Sequence, residues 1–187
     1  MPTNIRLDSA AIRVLAHPLR SRLLSALRLY GPATATELAD HLSTNTGATS
    51  YHLRKLEAVG LVEDTDEGEG KRRVWRAASQ SHSWEPSDFE GDDDAETSLS
   101  WLTRDYVRTA AEQMERWMDI QQSWPVEWRD ALGVGDDVVK VTAAQARAMQ
   151  EELIEVVARY RHAGSEDPDA KRVSVWHMMH PLEVARA

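Results

Sequence analysis

Leu19, Leu23, Leu24 and Leu27 recur at the three- and four-residue spacing of one helical face, with Arg20, Arg22 and Arg28 largely off it. A helix is therefore predicted over residues 18–29, opened by Pro18, whose missing N–H costs nothing at a first helical position, and stopped by Gly31-Pro32. A shorter helix over 8–16 precedes it, with Asp8 or Ser9 as cap and Ile12, Leu15 and Ala16 as its apolar side. Thr34 and Glu37 have capping-box spacing ahead of Leu38, Ala39 and Leu42, which predicts a helix over 34–42. Residues 43–46 supply a turn and the next cap. Over 45–59 the apolar positions Thr49, Leu53 and Leu56 share one side, and Gly47, Ser50, Tyr51 and Arg54 occupy the other. Gly60 suits a left-handed helix end, and residues 61–77 then read as a β-hairpin with a glycine-containing loop and a basic return edge.

Beyond this point the pattern changes. Residues 78–96 are rich in Ser and Asp, including Glu90, Asp92, Asp93 and Asp94, and read as an acidic linker, assigned to 81–96. A long helix is predicted over 97–122, with Leu99, Leu102, Tyr106, Ala110, Met114 and Trp117 on one stripe and Pro125 beyond its end. Strands over 138–141 and 173–179 flank a helix that follows Thr142 and carries Met149, Leu153, Val156, Val157 and Tyr160. The fold class expected is mainly α with small β (α+β). Its parts are an N-terminal helix-turn-helix domain with a wing over 1–80 and a C-terminal region over 97–187, led by a long helix that makes much of a homodimer and completed by a small β-α-β region.

Charge divides the chain in the same place. The 187 residues carry a net charge of −9, but residues 1–80 sum to +2 and the remainder to −11. An acidic whole is compatible with phosphate binding when the local surface is positive. There is no cysteine, which excludes disulfides and thiolate metal sites. The opening residues hold arginines rather than an apolar leader, and no run approaches the roughly 20 apolar residues of a membrane span. A cytoplasmic protein without a membrane partner is expected.

Leu15-Ala16-His17-Pro18-Leu19-Arg20-Ser21-Arg22-Leu23-Leu24, Glu37-Leu38-Ala39 and Ser50-Tyr51-His52-Leu53-Arg54-Lys55-Leu56-Glu57-Ala58-Val59-Gly60-Leu61-Val62 together resemble the winged-helix repressors of the ArsR-like family. The resemblance covers about the first 80 residues. It implies a dimeric, sequence-specific binder of double-stranded DNA, with residues 45–59 as recognition helix and 61–77 as wing. The candidate DNA-binding residues are Asn45, Thr46, Gly47, Ser50, Tyr51, Arg54 and Lys55 on the helix, and Lys71, Arg72 and Arg73 on the wing. Arg20 and Arg22 either reach the DNA backbone or simply face water. Two recognition helices set about 34 Å apart would read an inverted repeat.

The chain departs from the family at two places. Metal-sensing members carry paired cysteines in the helix matching residues 37–42, which here reads Glu-Leu-Ala-Asp-His-Leu, and Thr49 stands where an aliphatic residue is usual. No metal and no cofactor are expected: His177 and His180 are three apart near a predicted strand end, and residues so spaced along a strand point opposite ways. No nucleophile elbow, zinc-protease motif or glycine-rich phosphate loop occurs, so no catalytic residue is assigned and an enzyme is not expected. Two rival readings stay open. One adds a small apolar effector bound by the tryptophan-rich C-terminal region; the other is a winged-helix protein-interaction module without DNA binding.

Overall fold

A computed structural model describes residues 4–68 and 72–182. The chain divides into a unit through Met114 and a second unit from Glu115 onward.

In the first unit, β1 (Asn4–Arg6) leads into α1 (Ser9–Leu15), whose first turn is capped by Asp8 Oδ1 accepting from the Ala11 amide at 2.8 Å. His17 caps α2 (Pro18–Tyr30), its Nδ1 accepting from the Leu19 amide at 3.1 Å. A two-residue strand β2 (Ala33–Thr34) precedes α3 (Ala35–His41), where both halves of the Thr34–Glu37 capping box are made. Asn45 caps α4 (Thr46–Glu57) by accepting from the Ala48 amide at 2.8 Å. Gly47 suits this cap, since a Cβ there would stand 3.3 Å from Asn45 Oδ1. Gly60, at φ +70°, turns the chain into β3 (Val62–Asp64).

The antiparallel sheet has the order β2, β4 (Val74–Ala77), β3, with Val62 opposite Ala77 and Asp64 opposite Trp75. α4 packs against α2 and α3. Leu23, Leu24, Leu38, Leu53, Leu56 and Leu61 fill the space between these elements and are essentially inaccessible to water. Thr49 joins them at 0% exposure. Its hydroxyl donates to the Asn45 carbonyl at 3.1 Å, so the departure from an aliphatic residue leaves no unsatisfied donor.

The segment expected to be an acidic linker is folded instead. β5 (Ser81–Ser83) lies parallel to β1, and a 3₁₀ turn (Pro86–Phe89) buries Phe89 at 1% exposure. Two of its acids are matched by arginines from the chain start: Arg6 pairs with Asp88 at 2.6 Å, and Arg13 with Asp92. Composition alone misreads the segment because two of its negative charges have partners about 80 residues away. α5 (Asp93–Ile120) consequently begins earlier than the apolar stripe indicates, with Asp92 accepting from the Ala95 amide and Ala95 and Leu102 in the core.

In the second unit, a 3₁₀ turn (Gln121–Ser123) and α6 (Val126–Ala131) follow, and Trp117, Trp124 and Trp128 stack edge to face in sequence at 5.5 and 6.1 Å between ring centroids. α7 (Ala143–Tyr160) opens on a complete Thr142–Gln145 capping box. The strands expected over 138–141 and 173–179 do not form, so the β-α-β region reduces to its helix. Both segments are exposed to water, and β-propensity without a neighbouring ladder does not hold a strand. Among the described residues, no helix is long and apolar enough to cross a membrane.

Candidate nucleic-acid interface

α4 presents two chemically different sides, because burial of Thr49, Leu53 and Leu56 on one face forces the residues between them outward. Asn45, Thr46, Gly47, Tyr51, Arg54 and Lys55 are exposed, and Ser50 is half-buried. Tyr51 keeps 54% of its surface open, and Lys55 Nζ sits 5.6 Å from the centre of its ring. Arg54 and Lys55 take part in none of the ion pairs formed among the described residues. The seven expected helix residues are therefore assembled on or beside one accessible, cationic helix face.

The hairpin is electrostatically different. Arg73 reaches Asp64 at 3.3 Å and Glu57 at 3.6 Å, and it also lies over Trp75. Arg76 pairs with Glu63 at 2.7 Å across the sheet. Arg72 is exposed and outside these pairs, whereas Lys71 lies outside the described residues. The expected basic edge is thus largely compensated by acids of β3 and α4. Sequence spacing places the arginines on the hairpin correctly but does not reveal that Glu63 and Asp64 stand across from them.

A second cluster joins α2 to α4. The His17 and His52 rings lie 4.4 Å apart, and Tyr51 meets His52 edge to face at 5.1 Å. Burial, and then the neighbouring Arg20 guanidinium, hold the His17 imidazole below its ordinary value; burial, His17 and Arg20 do the same to His52. Arg20 Nε and His52 Nδ1 are buried and have no hydrogen-bond partner among the described residues. The i, i+3 spacing of His17 and Arg20 at the start of α2 puts these two side by side, but nothing in the sequence brings His52 to them, since that approach is made by the packing of α4 on α2.

A metal reading of the two imidazoles is opposed by the guanidinium beside them, and no group of three or more metal-binding side chains assembles among the described residues. His177 and His180 fall in an exposed segment without regular structure.

Residues 15–65 match the family model of a helix-turn-helix domain, a span running from the end of α1 to just past β3. The match marks this segment as a domain of the DNA-binding, transcription-regulating kind. No curated protein matches the chain.

Proposed function

We propose that the protein is a sequence-specific regulator of transcription of the ArsR-like winged-helix kind, a repressor that binds an inverted-repeat operator in double-stranded DNA as a homodimer. The observation that carries this reading is the open cationic face of α4, whose Arg54 and Lys55 enter no ion pair among the described residues, set on a buried apolar face that fixes its orientation. Helices of this type enter the major groove with side chains reaching base edges. Arg54 is the base-reading candidate, and Tyr51 and Ser50 serve thymine methyl or backbone contacts. Arg72 supplies wing charge. The region 97–187 provides the dimer contact, and the chain acts by binding rather than catalysis.

Selection of binding sequences from random duplexes, followed by salt titration on the selected site, tests the reading. A recovered inverted repeat and a loss of about 1–3 kcal/mol on Arg54→Ala support it. Equal affinity for every duplex defeats it.

One observation favours a rival. The compensation of Arg73 and Arg76 by Asp64, Glu57 and Glu63 lowers the positive potential of the hairpin, as a protein-interaction module without DNA binding would permit. Absence of binding to any duplex at low salt would select that rival. The Trp117–Trp124–Trp128 stack is the feature that an effector-responsive version would use; a ligand-induced rise in melting temperature with loss of operator binding identifies it.

A further inference from the structure

Arg20 is a half-buried cation with no ion-pair partner among the described residues. Partial burial of a guanidinium without an anion is unfavourable, and the Nε–H, buried without a partner among the described residues, adds to that cost. Its neighbours do not relieve it. His17 already uses Nδ1 to cap α2, His52 Nδ1 is itself unpartnered, and the charged group acting on both imidazoles is Arg20. The cluster therefore gathers donors and positive potential and lacks a counter-charge.

The position of the cluster says what the counter-charge is. His52 is the immediate neighbour of Tyr51 on α4 and its ring meets the Tyr51 ring edge to face, while the His17 ring, one helical turn before Arg20, lies 4.4 Å from His52. The unsatisfied cation thus adjoins the exposed face assigned to the groove, on the side where α2 crosses α4. A backbone phosphate flanking the groove supplies negative charge and several acceptor oxygens at once, which suits a forked guanidinium better than a point charge.

We propose that Arg20, with His52 and His17 beside it, forms a seat for a DNA-backbone phosphodiester that fixes how α4 enters the groove. This rests on the DNA-binding reading but goes beyond it: the seat recognises the phosphodiester rather than a base, and it recruits α2 as a second DNA-contacting element. Contacts of this kind set register and orientation and carry no sequence information themselves.

The test uses the full chain and two duplexes, a selected operator and one of unrelated sequence. Arg20→Gln is expected to weaken binding to both by the same factor, about tenfold, and to reduce the salt slope by about one. Arg20→Lys keeps the slope while losing affinity, because charge is retained and the fork is not. His52→Gln is a second variant that leaves Arg20 in place, and it is expected to weaken both duplexes alike. Thermal unfolding checks that each variant is folded. Imidazole NMR signals of His17 and His52 should shift on adding duplex and stay unmoved by the same concentration of inorganic phosphate.

Wild-type slope and affinity in folded Arg20→Gln overturn the seat, as does an equal response of the imidazoles to free phosphate, which would mark a small-anion site. Failure of the unaltered protein to bind any duplex overturns instead the DNA-binding reading on which the seat depends.

Discussion

Arg28 Nη1 lies 2.7 Å from Nδ1 of His82, and the second His82 nitrogen is 2.6 Å from the Tyr106 hydroxyl. A guanidinium only donates, so Nδ1 accepts and the imidazole proton resides on Nε2. Arg28 also donates to the carbonyl and hydroxyl of Ser79, which ties α2 to the start of β5 and, through His82 and Tyr106, to α5. The network holds His82 neutral: burial first, then the Arg28 charge, push its pKa down to about 3. Burial pushes Arg28 down to about 10 and raises the Tyr106 phenol.

A pH dependence follows from that depression. The unfolded imidazole takes up a proton near 6.5 and the folded one near 3, so the stabilisation is complete above 6.5 and is lost as pH falls from 6.5 toward 3. The slope from this one group is at most about 1.4 kcal/mol per pH unit. Urea unfolding of the wild type and His82→Gln at pH 7 and pH 5 checks it. The variant should be less stable at pH 7 and should lose less on acidification.

The pairing of Arg73 with Asp64 sets an expectation for the hairpin. Asp64→Asn should leave the guanidinium only its longer contact with Glu57, strengthen binding to unrelated duplexes and steepen the salt dependence by up to about one. Arg72→Ala should flatten it. Fluorescence anisotropy across a salt series separates the two outcomes.

Thr49 and Leu53 are both fully buried on α4 but differ in what they contribute. Thr49→Val removes the hydroxyl bond to the Asn45 carbonyl, yet that carbonyl still accepts from the Thr49 amide at 3.1 Å. The change in stability should stay within about 1 kcal/mol. Leu53→Ala leaves a cavity between helices and should cost about 2–5 kcal/mol. Chemical denaturation measures both.

α7 buries none of its residues within one copy of the chain, and Leu153 keeps 38% of its surface open. If this face belongs to the proposed homodimer, Leu153→Glu should shift the protein to monomer in sedimentation velocity. The melting of the first unit should not change.

Much of the helix-turn-helix segment was legible in the residues because its signals are local. Asn45, Thr34–Glu37, Pro18 and Gly60 act on backbone groups within a few positions, so they mark where α2, α3 and α4 start and stop. Periodicity likewise assigned Thr49, Leu53 and Leu56 to the core and Tyr51 and Arg54 to water. Long-range contact decided the rest. Arg6 and Arg13 fold an acidic stretch that composition reads as linker, and β1 finds β5 across most of the first unit. The strand-like residues 138–141 and 173–179 find no partner and stay open. Asp64 beside Arg73, and His52 beside His17 and Arg20, arise only when separate elements meet, and charge acts through that spatial proximity rather than through order along the chain.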